Sequence, residues 1–506
     1  MTTRFPSPLG RRGAGACRRL NDNVFVTFYS RRQILSSLGA ATLARAAGRP
    51  RPNILFIMSD DHASHAISAY GSRINRTPQI DRIAQGGVRM TNCFCTNSIC
   101  TPSRAAILTG QYSNRNGVYT LQDSLDPARN NVAKELQSAG YQTAMIGKWH
   151  LASEPSGFDY WNILPGQGVY HNPTFIGRDG RKQYNGYCTD LIADFTLDWL
   201  KQRDRNKPFF VMCHHKAPHR PWQPAAKYQN LFEGETIPEP SNLYEHYEGR
   251  ARSVAAVTMR VGESMTPTDV KQELPRDLHG DALRKWAYQP YIKDYLRCIQ
   301  SVDDNVGRLL DYLNAEKLAD DTIVIYTSDQ GFFLGDHGWF DKRVMYEEAL
   351  RMPLLMRYPG AIRPGSVNRD IVLNIDFAPL FLDYAGGTAA AMQGRSFRRN
   401  VEGRTPGDWR KAMYYRYWMH NDADHHVPAH YGIRTDRWKL IYYYGKPLGM
   451  KGAQAPDSTP EWELFDLRND PREMTNLYND SRHAARIREL KAQLARLQAE
   501  AGDQPA

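Results

Sequence analysis

The 506-residue sequence has few cysteines for its length, and those it has form no pattern. Its seven cysteines show no regular spacing, which excludes a disulfide framework as the basis of the fold. No motif that reads RNA or DNA is present, so nucleic acid is not the expected partner of a chain with a net charge of +11. Internal repeats and extended low-complexity segments are also absent. What remains is the composition of an ordinary globular protein, 41% hydrophobic and 24% charged.

The N-terminal region lacks an apolar run long enough to cross a membrane. Residues 30–47 read SRRQILSSLGAATLARAA, in which a twin arginine precedes a short, weakly apolar run that includes Arg45. Small residues that suit a cleavage site follow, among them Ala46 and Ala47. The stretch resembles a twin-arginine export signal, which predicts a leader over residues 1–48 and a periplasmic or secreted protein without a permanent membrane anchor. The alternatives are a disordered basic arm and, if the leader is not functional, a cytoplasmic protein.

Apolar runs alternate with helical patterns after the leader. The run NILFIM leads straight into two aspartates, and continuous apolar runs are typical of strands buried on both faces of a parallel sheet. Further strands and helices alternate, which predicts an α/β fold with a doubly wound, mostly parallel sheet between helices. The other predicted strands are Val88–Asn92, Thr143–Gly147, Pro208–Cys213 and Thr322–Ser328, and the predicted helices are Thr77–Ala84, Pro102–Thr109, Val132–Ser138, Thr189–Lys201 and Tyr291–Leu313.

Two segments depart from this alternation. Residues 233–289 are polar with little periodicity and are interpreted as an inserted excursion that contributes to a substrate rim. After Pro406, aromatic runs such as MYYRYW, HYGIRTDRWKLIYYY and EWELFDL predict a small antiparallel sheet. A charged amphipathic helix is predicted over His483–Ala499. We therefore expect a main α/β domain over residues 49–400 and a smaller C-terminal subdomain over residues 401–506.

Cys100 lies in an unusual setting, the stretch SICTPSRAAILTG. Pro102 suits the first position of a helix, and the residues after it propagate a helix that Gly110 can end. Cys100 is therefore expected just ahead of a helix N-terminus, where unpaired N–H groups and Arg104 would favour an oxyanion. The alternatives are a zinc ligand together with two nearby cysteines, a buried inert cysteine, and a thiol nucleophile of low pKa.

Polar clusters follow four of the predicted strands. Because ligands bind at the carboxyl ends of strands in open α/β sheets, these clusters are expected to meet in space. Carboxylate and amide oxygens are hard ligands that favour Ca²⁺ or Mg²⁺ over zinc. Paired aspartates can instead cap helices or face water. The predicted metal ligands are Asp60, Asp61, Asp329 and Gln330, and the other clusters contain Lys148, His150, His214, His215 and His219.

The stretch CTPSRAAILTG resembles the signature of the type I, formylglycine-dependent sulfatases, which belong to the alkaline phosphatase superfamily. GKWH, HHKAPH, SDQG and FDKR match further motifs of that family in the expected order, and the resemblance extends from about Asn53 to Leu477. It implies an alkaline-phosphatase-like mixed, mostly parallel sheet sandwiched by helices, with a smaller C-terminal antiparallel sheet. It also implies hydrolysis of sulfate esters.

The resemblance further implies how the nucleophile works. Cys100 would be oxidised to formylglycine by a maturation enzyme, and Arg104 would steady the product. A hydrated aldehyde carries two hydroxyls on one carbon, so one can attack sulfur and the other can later expel sulfate as the carbonyl re-forms. An ordinary serine could not release its sulfate ester in that way.

Metal ligands and acid–base residues are carried over by position in the same manner. The resemblance implies a calcium ion, with magnesium as the alternative, at Asp60, Asp61, Asp329 and Gln330, although a glutamine here replaces the asparagine of many members. His219, together with Lys342, would protonate the leaving oxygen, and His150 would accept a proton during sulfate release. The full set that would hold sulfate and move protons is Lys148, His150, His219 and Lys342.

The substrate is predicted from longer segments of the same resemblance. GFDYWNILPGQG, HHKAPHRPW, GDHGWFDKR and HYGIRTDRWKLIYYYG look most like bacterial sulfatases that act on N-acetylglucosamine 6-sulfate in mucins or glycosaminoglycans. Asp336, His337 and His430 are the candidate sugar contacts. Asp336 and His337 could instead fix the turn that contains them. The other functions considered are an arylsulfatase, a phosphonate or phosphate monoester hydrolase with the same aldehyde, and an inactive sugar-binding or scaffold protein.

Overall fold

The computed structural model describes residues 51–506, and the features predicted before them lie outside the described residues. These features are the twin-arginine segment at residues 30–47 and its cleavage site. The described residues form one compact unit, so the boundary expected near residue 400 stays a prediction. No helix among the described residues has both the length and the apolar character needed to cross a membrane.

The described strands belong to three sheets. The largest sheet has the strand order β12-β2-β11-β8-β1-β7-β3-β4-β5-β6, with β13 added beside β2. The strands are β1 (Asn53–Ser59), β2 (Val88–Phe94), β3 (Gln142–Lys148), β4 (Tyr160–Leu164), β5 (Thr174–Gly177), β6 (Gly180–Gln183), β7 (Phe209–His214), β8 (Thr322–Ser328), β9 (Phe333–Leu334), β10 (Phe340–Asp341), β11 (Arg351–Arg357), β12 (Ser366–Asn368), β13 (Val372–Leu373), β14 (Ala412–Tyr417), β15 (His430–Thr435), β16 (Trp438–Tyr443) and β17 (Glu461–Asp466).

The centre of the large sheet is parallel, and its flanks are mixed. Strands β8, β1, β7, β3 and β4 run parallel to one another, whereas β11 pairs antiparallel with both β8 and β2. The hairpin of β5 and β6 extends the other flank in antiparallel pairing. A separate antiparallel sheet has the order β14-β15-β16-β17. This arrangement confirms the predicted mixed, mostly parallel α/β fold with a smaller C-terminal antiparallel sheet.

Helices cover both faces of the large sheet, because alternate side chains of its central strands are apolar on each face. In β1, Ile54, Phe56 and Met58 pack into one core, and Leu55 and Ile57 pack into the other. The α-helices are Pro78–Gln85, Cys100–Thr109, Ser113–Asn116, Val132–Ser138, Cys188–Gln202, Arg252–Ala255, Pro267–Val270, Gly280–Ala315, Glu347–Leu350, Phe377–Ala385, Arg398–Val401 and Ala484–Glu500.

Two helices begin earlier than the sequence predicts. The helix expected from Pro102 begins at Cys100, with Ile99 in an extended conformation before it, so Cys100 belongs to the first helical turn. The helix expected from Tyr291 begins at Gly280 and continues through Pro290. A proline inside a helix removes one backbone hydrogen bond, and packing of the buried apolar side chains of this helix against the sheet compensates for that loss.

Candidate active site

The four polar clusters meet at one edge of the large sheet. Strands β8, β1, β7 and β3 are consecutive neighbours in the sheet and parallel, so their carboxyl ends lie side by side. Asp60 and Asp61 follow β1, and Asp329 and Gln330 follow β8. Lys148 ends β3. The predicted convergence of these strand ends is therefore present in the structure.

Cys100 lies at the centre of this edge and is 1% exposed. Its Sγ is 3.4 Å from Asp60 Oδ1 and 3.8 Å from Gln330 Nε2. Burial raises the pKa of the Cys100 thiol well above its usual range, and the nearby Asp60 carboxylate raises it further. The thiol is therefore not a ready thiolate nucleophile. Among the described residues, the cluster of possible metal ligands that contains Cys100 also contains Asp60 and His219. It contains no other cysteine.

Arg104 ties the Cys100 helix to the ends of two strands. Its guanidinium donates to Asp329 Oδ2 through Nε at 3.0 Å and to the Lys148 carbonyl oxygen through Nη1 at 2.6 Å. Its Nη2 also lies 3.6 Å from Asp60 Oδ1. Because the arginine is 3% exposed, its charge acts in a region of low dielectric and neutralises part of the acidic cluster.

Three buried carboxylates form the acidic cluster. Ligand oxygens of Asp60, Asp61 and Asp329 all lie within 4.8 Å of one another. Burial raises the pKa of Asp61 to about 6 against the opposing charge of Lys342, and burial with the neighbouring Asp60 raises the pKa of Asp329 to about 7. Burial alone would also raise the pKa of Asp60, but the charges of Lys148 and Arg104 outweigh it and hold that pKa well below its usual range.

This cluster fits a divalent cation. Gln330 Oε1 is buried and has no hydrogen-bond partner, although its Nε2 donates to Asp61 Oδ1. The unpaired amide oxygen and the three carboxylates together offer hard oxygen ligands. A divalent cation would supply the positive charge that balances them. Asp60, Asp61, Asp329 and Gln330 are therefore the residues that would hold calcium or magnesium.

Two lysines contact the acidic cluster, each at a different carboxylate. Lys148 Nζ is bonded to Asp60 Oδ2, and Lys342 Nζ lies 2.7 Å from Asp61 Oδ2. Both lysines are almost completely buried. Ammonium groups at these positions are suited to contact an oxyanion.

The two predicted acid–base histidines contact different residues of the same site. His219 Nε2 is 3.7 Å from Asp61 Oδ2, and His150 Nδ1 is 3.5 Å from Thr101 Oγ1. Burial and the charge of Lys148 lower the pKa of both histidines well below its usual range. His219 Nδ1 lies 2.6 Å from the Arg220 carbonyl oxygen, which can only accept, so Nδ1 carries a hydrogen. Its Nε2 is left to face the site.

The three predicted sugar contacts have different surroundings. Asp336 Oδ2 lies 3.3 Å from His65 Nε2 and lines a cavity of about 510 Å³. His337 is fully buried, with Nδ1 2.6 Å from Glu245 and Nε2 3.7 Å from Glu348. His430 is fully buried as well.

The ring nitrogens of His430 are both occupied by the backbone. Its Nδ1 lies 2.7 Å from the Pro428 carbonyl oxygen, and its Nε2 accepts from the Met345 N–H at 3.1 Å. No ring nitrogen of His430 is left for a substrate, and the structure does not bring this residue to the acidic cluster through any hydrogen bond or ion pair that it makes.

Two residues of the site were not predicted from the sequence. Gln167 Oε1 accepts from Lys148 Nζ, and Asp341 Oδ1 lies 3.8 Å from Lys342 Nζ. Gln167 lies between two glycines with positive φ, in the PGQG segment. Asp341 is the neighbour of Lys342 in FDKR. The two glycines around Gln167 and the position of Asp341 beside Lys342 were the sequence signals available. Neither signal shows which lysine each side chain contacts.

Comparison with protein families identifies matches along most of the chain. A family described as Sulfatase matches residues 52–387, and a second described as N-sulphoglucosamine sulphohydrolase, C-terminal, matches residues 335–500. An N-acetylglucosamine-6-O-sulfatase of Bacteroides thetaiotaomicron is 43% identical over 508 aligned residues, covering 90% of this chain and 89% of that protein.

Solved structures match over the same length. One described as a complex with its substrate D-glucosamine-2-N,6-O-disulfate has a TM-score of 0.84 and 42% identity, covering 90% of this chain and 98% of that chain. A phosphonate monoester hydrolase of Agrobacterium radiobacter has a TM-score of 0.71 and 21% identity, covering 89% of this chain and 96% of that chain. At that identity the second match shows a shared fold alone.

Proposed function

The chain belongs to the sulfatase family and is a sulfuric ester hydrolase, and from that premise we propose that it removes 6-O-sulfate from a glucosamine-type sugar. The relative from Bacteroides thetaiotaomicron is described as an N-acetylglucosamine-6-O-sulfatase, and a matching structure contains a glucosamine 6-O-sulfate. The single observation that carries the proposal on this chain is the position of Cys100 Sγ, 3.4 Å from Asp60 among two lysines and Gln330.

We propose that position 100 is formylglycine in the active protein. In its hydrated form this residue supplies one hydroxyl that accepts the sulfuryl group and a second whose deprotonation releases sulfate. The raised pKa of the unmodified thiol supports the proposal, because a buried thiol in this setting is a poor nucleophile at neutral pH. Arg104, which touches Asp60 and Asp329, would hold the start of the helix in register with the carboxylates.

A calcium or magnesium ion would complete the acidic cluster. When bound, the cation supplies positive charge that stabilises the negative oxygens of the reacting sulfate and lowers the pKa of the attacking hydroxyl. The chain's own contribution is to fix the carboxylates before the substrate arrives. Asp60 is held by Lys148 and Arg104, and Asp61 by Lys342.

Proton transfer is assigned to the two histidines. His219 Nε2 faces the site and would protonate the leaving oxygen of the sugar, with Lys342 beside it as a second donor. Neutral His219 must gain a proton first. The negative charge of a bound sulfate ester favours that protonation because it offsets the charges of Lys148 and Lys342, which lower the pKa of His219 in the free site. His150 would accept the proton of the second hydroxyl during sulfate release.

Asp336 is the predicted sugar contact that remains accessible. Its side chain is 14% exposed and reaches the wall of the cavity together with His65 and Arg472. Hydrogen bonds from sugar hydroxyls to a carboxylate fit this position. His337 and His430 are fully buried, so a structural role fits them better than direct contact with the sugar.

Export and maturation are part of the proposal. The twin-arginine segment at residues 30–47 would direct the protein to the periplasm or beyond, and a separate maturation enzyme would oxidise Cys100. The export signal and the maturation step are both inferred from resemblances in the sequence.

The proposed function is tested by coupling mass spectrometry to a substrate panel. The chain is produced with a formylglycine-generating enzyme and assayed on glucosamine carrying sulfate at the 6-, 4-, 3- or 2-position, on an aryl sulfate and on a phosphonate monoester. We expect the fastest sulfate release from the 6-O-sulfated sugar, and a tryptic peptide in which Cys100 has lost sulfur and gained a carbonyl. The Cys100→Ala variant should be folded and inactive.

Three outcomes would contradict parts of this proposal. Full activity with an unmodified thiol would overturn the nucleophile. Faster turnover of the aryl sulfate or phosphonate than of every sugar would overturn the substrate class. Activity that survives exhaustive chelation and is unchanged by added Ca²⁺ or Mg²⁺ would overturn the cation.

A further inference from the structure

The segment that carries Lys342 has an unusual backbone. Asp341 and Arg343, on either side of the lysine, have φ angles of +84° and +94°. Residues other than glycine rarely adopt positive φ, and those that do are often Asn, Asp or His, so Arg343 is the more unusual of the two. Such conformations persist where surrounding contacts over-determine them. The contacts around Asp341 and Arg343 therefore explain how this backbone conformation is maintained.

Lys342 has two acidic neighbours that compete for its ammonium group. Its Nζ lies 2.7 Å from Asp61 Oδ2 and 3.8 Å from Asp341 Oδ1. For the lysine to reach into the site, Asp341 has to be occupied by other partners. Arg343 and His425 provide them: Arg343 Nη1 is bonded to Asp341 Oδ1, and His425 Nε2 is 3.4 Å from Asp341 Oδ2.

His425 comes from the C-terminal part of the chain, in the loop between β14 and β15. This loop, residues 418–429, also contains Asp422, whose Oδ1 lies 2.7 Å from His425 Nδ1 and whose Oδ2 lies 3.7 Å from Arg343 Nε. Both residues are nearly buried, at 2% and 7% exposure. Asp422 and His425 therefore contact both residues that flank Lys342.

Two hydrogen bonds hold the loop in place, and a third holds the lysine segment. Tyr417 OH donates to Asp422 Oδ2 at 3.3 Å, and the Thr258 N–H donates to the His425 carbonyl oxygen at 3.0 Å. Tyr415 OH donates to the Arg343 carbonyl oxygen at 2.6 Å. The antiparallel sheet and the segment around Thr258 thus fix the loop before it reaches the lysine segment.

We propose that Asp422 and His425 are positioning residues that hold the Asp341–Arg343 segment so that Lys342 points at Asp61 and the sulfate group. The inference rests on the proposed role of Lys342 in holding sulfate. It extends that role to the C-terminal sheet, since removal of His425 would free Asp341 to draw the ammonium group away from the site. Neither residue needs to touch the substrate.

The test is the His425→Ala variant of the fully matured protein. A small displacement of a group that binds the reacting atoms can cost about 100-fold in rate, so we expect kcat/KM to fall by about that factor. Weaker inhibition by inorganic sulfate should accompany the loss, because the sulfate-binding ammonium has moved. His425→Gln should recover part of the activity, since its amide can still donate to one of the two carboxylates.

A matched control comes from the same loop. His426 is an exposed neighbour, so His426→Asn should leave kcat/KM and sulfate inhibition within about twofold of the unaltered protein. Asp422→Asn preserves side-chain volume and serves as a second disruption if His425→Ala lowers the melting temperature. Thermal unfolding of each variant separates loss of fold from loss of position.

Two further measurements distinguish positioning from sugar recognition. A positioning role predicts losses on both a sugar sulfate and an aryl sulfate, and no further loss when His425→Ala is added to Lys342→Ala. Loss on the sugar alone, or additive losses in the double variant, would overturn the inference. If Lys342→Ala itself leaves sulfate inhibition unchanged, the proposed function of Lys342 fails instead, which separates the two failures.

Discussion

Two fully or nearly buried histidines of this protein have opposite electrostatic surroundings. Burial and Lys148 lower the pKa of His219 well below its usual range, so its ring is neutral in the free site. Burial also acts to lower the pKa of His337, but Glu245 and Glu348 outweigh it and raise that pKa to about 9. His219 can therefore gain a proton when an anion binds, whereas His337 is positively charged at neutral pH.

Replacement of His219 by alanine should reduce turnover in a way that depends on the leaving group. General acid catalysis contributes about 10²–10⁴-fold when the leaving oxygen is basic, and little when it is not. We therefore expect kcat on a sugar 6-O-sulfate to fall by about 10³-fold and kcat on 4-nitrophenyl sulfate to fall far less. Steady-state kinetics on the two substrates checks this, and equal losses would show that His219 does not act as the acid.

The His337→Asn variant should lose stability in a pH-dependent manner. The folded pKa of about 9 lies above the ordinary value of 6.5, so the interaction stabilises the fold fully below pH 6.5 and is lost as pH rises through 9. A shift of this size corresponds to about 3 kcal/mol. Asparagine tolerates the positive φ of this position, which limits other effects.

Urea unfolding at pH 6, 7.5 and 9 provides the measurement for His337. The difference in unfolding free energy between the unaltered protein and the variant should shrink steadily across that range. His246→Gln, at a mostly exposed histidine near Asp281, is the control and should show little difference at any pH. A His337→Asn deficit that stays constant from pH 6 to 9 would mean that the ring is neutral in the folded protein.

At the scale of elements, the contact between β3 and β7 positions Lys148. Gly147 precedes the lysine with a φ of +100°, and a Cβ at this position would meet the His214 carbonyl oxygen at 2.0 Å. Gly180, in the edge strand β6, has a φ of +101° and no atom within 4 Å of the same point. The two glycines share a backbone conformation and differ in the space around it.

Alanine at these two glycines should separate backbone strain from steric overlap. Gly180→Ala should cost about 1 kcal/mol for the unfavourable φ. Gly147→Ala should cost about 1–3 kcal/mol more because β7 must move away, and it should also lower activity because Lys148 moves with β3. Urea unfolding and kcat/KM check both. Similar stability and activity in the two variants would indicate that the strands separate without consequence.

The central strands were the most predictable elements. β8 has the limits predicted from its apolar run, and β2, β3 and β7 differ from prediction by only one or two residues at either end. Burial on both faces leaves a continuous apolar signal that polar edges delimit. The residues that follow these strands were predictable for the same reason, because parallel strands must bring their carboxyl ends together.

Contacts that depend on packing between distant segments were not predictable. The helix start at Gly280 was missed because Pro290 is a strong local signal for a boundary, whereas packing against the sheet decided the outcome. His430 was selected from a motif, but sequence could not show that its nitrogens meet the backbone of Met345 and Pro428. Contact of His425 with Asp341, 84 positions earlier, has no local signal at all.

At the scale of the whole molecule, a buried ion network joins the two sheets. Lys439, in β16, is fully buried and lies 3.0 Å from Glu347 and 2.6 Å from Glu473. Arg434, in β15, also pairs with Glu347 at 3.2 Å. Glu347 begins the short helix that leads into β11 of the large sheet. The C-terminal sheet is therefore linked to the main sheet by buried charges.

Lys439→Met should destabilise the entire protein. Removal of one partner from a buried network leaves an uncompensated charge and costs about 3–5 kcal/mol. Burial raises the pKa of Glu473 to about 7, and without Lys439 that carboxyl would be protonated more readily. Urea unfolding followed by tryptophan fluorescence and by activity should give coincident, lowered midpoints. Lys201→Met removes an exposed pair with Asp198 and should change stability by less than about 1 kcal/mol.

Burial of the Cys100 helix restricts when the proposed oxidation of Cys100 can occur. All ten residues of Cys100–Thr109 are buried, so another enzyme could not bind the peptide around the thiol once the chain has folded. Under the proposed maturation, oxidation of Cys100 would have to precede folding, and a molecule that folds first would stay inactive until it unfolds. The active fraction of a preparation would then depend on the relative rates of oxidation and folding.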